Sequence, residues 1–548
     1  MKTIICCLLL TVTTSFAVAT IRSVPASYAT IQSALNACAA GDTVLVQPGT
    51  YAENLVWPVT AAIKLVSAGD TTNTFIDGNA NGAVITITTS MVDTNTVITG
   101  FTITNGYKTG SMANGGGIYL SNASPKFEQV AVSDNRINAA NWGYGAGVHA
   151  NNSSVIFSHS SISRNRTDFA TWGYGGGVYL SGSGNPKFRN VRIENNFVIA
   201  DIWNYGTGIY AEDVTLSLTD CLIRGNTTGD SASYSYGTGL FVQDGQADLV
   251  NVAVLNNMSS KFSSYHYGIG IHIRSCTANL TNVLVAGNLV SDGGNFYNGA
   301  GIYLTSSGGN YNRVNMMNVT VTDNKRTNSG IVNGSGLYAG SGDTVSITNS
   351  IFWNPNSGAE IFIPSSGTTV LTASYSNIRN GFAGTGNINM LPGFVSASDF
   401  HLTPSSPCVN TGTLSGAPAF DLDNMPRPSP AGTNPDMGCY ELSQPLNVYE
   451  LTTGIFSVNV YPNPAAGLVT VAINENKTDN DFTAGYRNAE ITISDLSGKK
   501  IYQQIKDLIQ NGSSETGINI SHLANGVYLM IVKTDNFTSV KKLAVNNQ

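Results

Sequence analysis

Charge is scarce in this chain: Asp, Glu, Lys and Arg make up only 11% of its 548 residues, with a formal net charge of −7. That acidic balance, with a pI near 5.4, argues against a general nucleic-acid binder, which would need a basic face. Long apolar runs are equally few, and beyond the run Ile4–Leu10 no segment is long and apolar enough to span a bilayer. Helical periodicity is missing through the middle of the chain, so strands and turns must build it. Seven cysteines are present, and the five beyond Cys6 and Cys7 are an odd number, which speaks against a full disulfide framework. Glycine is abundant, at 58 residues, and low charge with many turn formers points to an all-β protein.

The glycines are periodic. Two of them precede an aliphatic and then an aromatic residue in unit after unit, the second falling at Gly117, Gly147, Gly177, Gly208, Gly239, Gly270, Gly301 and Gly336, at intervals of 30, 30, 31, 31, 31, 31 and 35. Such a period means one supersecondary unit stacked on itself, because a single unit cannot bury its apolar face alone. The unit Gly145–Asn165 contains three short alternating runs separated by Asn and Ser, the pattern of a right-handed parallel β-helix. Val148 and Ala150 are expected inward and His149 outward.

Other columns share this register. Asn135, Asn165, Asn196, Asn226, Asn257, Asn288 and Asn324 form one, with Asn105 and Asn354 similar at its ends; Asn tolerates the left-handed backbone of a sharp turn, and stacked carboxamides there would satisfy one another. Trp142, Trp172, Trp203, Tyr234, Tyr265 and Phe296 form a second, and Tyr144, Tyr174, Tyr205, Tyr236 and Tyr267 a third. A fourth, from Tyr119 through His149 and Tyr179 to Tyr338, follows the second glycine. About nine residues between ladder asparagine and glycine pair are expected to loop out on one edge. Either the loop aromatics fold down on the strand aromatics, or Trp142, Trp172, Trp203 and the tyrosine column keep open faces that stack on the sugars of a polysaccharide.

Opposite charges also stack, with Asp134 beside Arg164 and Glu194 beside Arg224, as cross-strand pairs would. Arg136, Arg164 and Arg166 near His159 are the candidate set for engaging a uronate carboxylate, should the protein be an enzyme. No cofactor or metal is expected. Asp421, Asp423 and Asn424 suggest a calcium loop only in part, and a surface turn is the simpler reading.

Three resemblances extend this reading. Residues 1–19, with Lys2, the apolar run and Ala17-Val18-Ala19, resemble a signal peptide. The stretch Tyr28–Leu55 resembles the entry segment of the pectin-lyase-like β-helix superfamily, with a short amphipathic helix capping the first coil. That fold hosts lyases, hydrolases, adhesins and binding proteins alike; the Asn-Thr-Asp, Asp-Asp and His-Gly runs of its hydrolases and the tryptophan-isoleucine-Asp-His run of its lyases are missing here. Residues 349–441, with SPCVNTG and DMGCYE, resemble the choice-of-anchor Q region that closes many secreted bacterial β-helices. That region usually carries a small apolar residue where Cys439 stands, which leaves two readings for Cys408 and Cys439: a disulfide, or two separate buried thiols.

The C-terminus is the most specific. The expected turn Tyr461-Pro462-Asn463-Pro464, with Asp495–Lys500, Gly526-Val527-Tyr528 and Lys541-Lys542-Leu543, resembles the type IX secretion (Por) sorting domain of the Bacteroidota. This implies handling by the type IX machinery, secretion or display at the cell surface, and usually removal of the domain. The expected organisation is a leader (1–19), a β-helix (20–441, with cap 20–42, coils 43–348 and end region 349–441), a linker (442–455) and an antiparallel sandwich (456–548). The chain is expected to act as a monomer that binds extracellular polysaccharide or serves as a structural or adhesive surface protein; the alternative is a polysaccharide lyase or glycoside hydrolase.

Overall fold

The computed structural model describes residues 19–229, 233–259, 265–290, 296–327, 333–354, 358–365, 367–442, 456–475, 488–495, 499–507, 513–533 and 538–547. All of the expected leader except Ala19, and the linker beyond Leu442, lie outside these residues. Two compact units divide at Ser443 and Gln444. The first is a parallel β-solenoid.

One coil shows why the sequence repeats. Val148–Asn151 belongs to the second sheet, Ile156–Ser163 to the first and Arg166–Tyr174 to the third, and each pairs in parallel with its counterpart about 31 residues on. The first sheet's side chains, such as Phe127, Phe157 and Phe188, stack in the core with centroids 4.8 and 5.4 Å apart. Val148 and Ala150 enter the same core. The two glycines answer different demands. Gly145 adopts φ +59, and a Cβ on Gly147 would lie 2.6 Å from Gly177 O and 2.7 Å from Asn165 Nδ2.

The asparagine column is a continuous buried ladder. Asn135 Nδ2 donates to Asn165 Oδ1 at 3.0 Å, and the backbone N–H of Asn135 donates to the same oxygen at 3.1 Å. The relation repeats down to Asn354, whose N–H and Nδ2 donate to the carboxylate of Glu360. The left-handed residue expected of the ladder asparagine is instead the one before it, as at Asp134 (φ 58), Arg164 (φ 55) and Asn195 (φ 55). Asn105 is therefore no rung. It takes that left-handed position and bonds Asp77, while Gly106 N–H donates to Asn135 Oδ1.

The solenoid is closed at its start by the helix Ile31–Asn36, capped by Thr30 and by Glu53, whose carboxylate accepts the N–H groups of Ile31 and Gln32. Parallel pairing runs on through Val370–Ser374 and Asn377–Ile378, so the last coil lies inside the segment expected as end region. The chain beyond folds back over the outer face of the first sheet. Phe400, Leu422, Cys439 and Tyr440 cover Ala253, Leu255, Leu284 and Ala286.

The second unit is a mostly antiparallel seven-stranded arrangement with a core that includes Val471, Ile491, Ile493, Met530, Val532 and Leu543. Tyr461–Pro464, expected as a turn, lies within the strand Phe456–Ala466. Asn463 explains two of the recognised blocks together: its Nδ2 donates to Lys542 O at 2.6 Å and its Oδ1 accepts Ala544 N–H at 2.8 Å, clamping the terminal strand.

Candidate binding surfaces

The residues expected to loop out are strands. Arg136–Tyr144, Arg166–Tyr174 and Phe197–Tyr205 pair in parallel, and their inner side chains, Ile137, Ala139, Ala170 and Ala200, form a thin core of their own with Ala113 and Ala146. The space is tight at Gly143, where a Cβ would meet Thr167 Cγ2 at 2.5 Å.

On the outer side of these strands the tyrosines fold down. Tyr144 packs on Tyr179 at 4.8 Å, Tyr174 edge-on to Tyr210 at 5.1 Å and Tyr205 edge-on to Phe241 at 5.5 Å. His149, though outward, is covered by this layer and is 7% exposed. Burial, with Lys108 nearby, pushes its pKa down to about 3, so it is neutral, and burial holds His272 neutral as well. The Tyr205 and Tyr267 hydroxyls are pushed up to about 12, mainly by burial.

Stacking along the solenoid occupies the ring faces. Tyr144, Tyr174, Tyr205, Tyr236 and Tyr267 follow one another at 5.0–5.2 Å with interplanar angles of 10–22°. Trp142, Trp172 and Trp203 do the same at 5.0 and 5.6 Å, both at 17°. A sugar ring binds an aromatic face, and these faces already hold the next coil's ring. Of the two readings of these columns, the open-faced one does not describe them, and what they present is a set of edges. The reason is the coil spacing, which brings equivalent rings within stacking distance whenever the register is exact.

The arginine set separates in the same way. Arg136 and Arg166 are neighbours on adjacent strands, and both donate to Asp168, whose side chain is fully buried between them. Arg166 also lies 4.7 Å from the Phe197 ring centroid and Arg136 5.7 Å from that of Tyr107. Arg164 pairs with Asp134 at 2.7 Å, and Glu194 joins Arg192 at 2.9 Å to Arg224 at 2.7 Å. His159 is not with them: it is exposed in the first sheet and lines a groove of about 500 Å³ with Gln129, Ser161, Asn190 and Arg192.

That groove follows a column of left-handed residues that creases the first sheet: Gln129, His159, Asn190, Asp220, Asn251, Asn282, Asn318 and Asn349 all have φ between 50 and 55. The last three bind the end region, Asn282 Nδ2 donating to Phe420 O at 2.7 Å, Asn318 Nδ2 to Gly438 O at 3.0 Å and Asn349 Nδ2 to Thr413 O at 2.8 Å.

Within the end region the charges are structural. Asp421 is buried and accepts the N–H groups of Asp423, Met425 and Glu441. Arg427 is buried beside Glu441 and donates to Gly438 O at 3.1 Å. Burial pushes Glu441 up to about 7. His401 is held between Asp399 and Asp423 and stacks on Tyr440 at 3.9 Å. Cys408 and Cys439 are free thiols in different apolar clusters, Cys408 with Leu402 and Met437 and Cys439 with Leu284. The disulfide reading is thereby corrected. Their side chains pack in separate places.

Residues 67–278 match the family model of the right-handed β-helix region, and residues 459–546 that of the secretion system C-terminal sorting domain. No curated protein and no solved structure matches the chain. The chain is thus a right-handed parallel β-helix carrying a sorting domain. It is a type IX secretion cargo, exported to the cell surface or the extracellular space.

Proposed function

We propose that the β-helix is a rigid extracellular scaffold with a structural or adhesive role, not a polysaccharide lyase or hydrolase. One observation carries this reading. The cations a lyase would aim at a uronate, Arg136 and Arg166, are both spent on the buried Asp168, and a glycan cleft beneath the tyrosine wall is filled by the wall's own rings. Paired carboxylates at hydrolase separation need oxygens free to meet substrate. Asp134 and Glu194 instead bind arginines one coil away.

The test is incubation of the full chain with a panel of acidic and neutral polysaccharides, following near-ultraviolet absorbance for unsaturated ends and reducing ends for hydrolysis. The scaffold reading expects neither signal above a protein-free blank. Sustained product formation from any member of the panel would overturn it.

A further inference from the structure

The third sheet carries a block of four tyrosine rings. Its strands Tyr234–Tyr236 and Tyr265–Tyr267 pair in parallel, with Tyr234 opposite Tyr265 and Tyr236 opposite Tyr267. Ser235 and His266, between them, turn inward and are buried, so the four rings stand together on the outer face. Tyr234 and Tyr265 stack at 4.5 Å with an interplanar angle of 10°, against 5.0 Å and 22° for Tyr236 and Tyr267. Within each coil the two ring centres are 6.2 Å apart.

The two stacked pairs have different surroundings. Tyr236 packs on His272 at 5.6 Å and Tyr267 on Tyr303 at 5.0 Å, and burial raises both hydroxyls, that of Tyr267 to about 12. Tyr234 and Tyr265 continue the column of Trp142, Trp172 and Trp203, with Trp203 lying 5.9 Å from Tyr234. Both are half-buried, so one side of each ring system meets solvent. Among the described residues this is where two phenols first follow one another in that column. The chain is exported to the cell surface or beyond, where proteins are commonly stapled by disulfides, yet its five described cysteines are all free. Two phenols stacked in register are another pair of side chains that oxidation can join.

We infer that Tyr234 and Tyr265 are a modification site, at which extracellular hydrogen peroxide and a haem peroxidase join the two rings as a dityrosine. Each hydroxyl gives up one electron and one proton, which leaves a phenoxyl radical with spin density at the ortho carbons, Cε. The two radicals pair into a single Cε–Cε bond. The hydrogen on each bonded carbon then moves as a proton to its own ring's oxygen, restoring both phenols, while the peroxide takes up the two electrons and two protons and leaves as two waters. Parallel pairing holds both rings on the same side of the sheet at the strand spacing, so coupling requires only that they tip toward each other on the solvent side. The new bond ties residues 31 apart in the chain, and like a disulfide it stabilises by restricting the unfolded state.

The full chain is treated with hydrogen peroxide and lactoperoxidase and followed by dityrosine fluorescence, gel electrophoresis and mass spectrometry of tryptic peptides. The expected product is a monomer in which peptide 225–261 is bound to peptide 262–274 with loss of two hydrogen atoms. Tyr236 and Tyr267 lie in the same two peptides, so variants assign the bond. Tyr234→Phe and Tyr265→Phe should each lose the linked peptides, whereas Tyr236→Phe and Tyr267→Phe should keep them, with circular dichroism confirming that all four are folded. The joined wild type should also unfold at higher urea than the untreated protein, a shift that treated Tyr234→Phe should lack. Absence of the linked peptides from the treated wild type, their persistence in Tyr234→Phe, or linkage only between chains would overturn the inference. None of these results touches the scaffold reading, which product formation from a polysaccharide would sink instead.

Discussion

Asn226 sits in the middle of the amide ladder, and replacing it with alanine isolates what one rung contributes. Its Oδ1 accepts both the backbone N–H and the Nδ2 of Asn196 at 3.0 Å, and its Nδ2 donates to Ile193 O at 3.0 Å and Asn257 Oδ1 at 2.9 Å. In Asn226→Ala four hydrogen bonds disappear, but their consequences differ. Asn196 Nδ2 keeps its bond to Ile162 O, and Asn257 Oδ1 keeps the N–H of residue 226. The groups left stranded are the Asn196 N–H and one acceptor site on Ile193 O. A stranded buried polar group costs about 1 to 3 kcal/mol, so the expected loss is about 2 to 6 kcal/mol. Urea denaturation of the full chain measures it. Asn141→Ala, which removes one exposed bond to Ser111, should stay within about 0.5 kcal/mol of wild type. Hydrogen exchange adds a local readout, since the Asn196 amide should lose protection most. Equal stabilities of the two variants, or unchanged protection at Asn196, would refute the ladder as a source of stability.

Burial pushes Glu360 up to about 7 from the ordinary 4.5, so its contribution to stability is full at acid pH and is lost as pH rises from about 4.5 to about 7. That difference is worth up to about 3 kcal/mol; Glu360→Gln should flatten the pH dependence of the urea midpoint in that window, leaving the part due to Glu441, and an unchanged slope would count against it. Tyr174→Ala removes a half-buried ring with four aromatic partners and should destabilise by about 2 to 3 kcal/mol, whereas Trp172→Ala, with two, should lose less in the same titration. Asp168→Ala leaves Arg136 and Arg166 facing each other across one rung and should cost about 1 to 3 kcal/mol at low salt; part of that should return at ~1 M salt, where screening shortens to about 3 Å.

The period of the chain was legible because each coil presents its turn to an identical turn, so the second glycine and the asparagine recur wherever backbones touch. Register within the coil was harder. Asn105 and Asn135 look equivalent by type, yet only the geometry reveals that the left-handed residue precedes the rung. Comparing coils at equal offsets does not reveal Asp168 as the partner of Arg136 and Arg166, because it stands at a strand irregularity before Phe169 (φ 54), where the register to the next coil shifts. The facing of the strand Lys187–Glu194 was hidden for a related reason. Left-handed Asn190 resets the alternation, so the odd positions 187 and 189 and the even positions 192 and 194 all face outward. The aromatic columns were visible, but whether a stacked ring offers its face or its edge depends on the coil spacing, which no single coil's sequence records.

The amide ladder has a direction. Every rung donates toward the C-terminal neighbour, and at the end stands Glu360, which at that terminus has only to accept. A shorter internal run ends the same way, with Asn312 donating to Asp343. Whole coils can therefore be removed or duplicated between Asn135 and Asn226, ahead of the coils that the end region covers, without altering what either terminus must supply. Length becomes an adjustable quantity, changing by about 4.8 Å for each coil gained or lost, and the solenoid works as a ruler whose graduations evolution or an engineer can add one at a time.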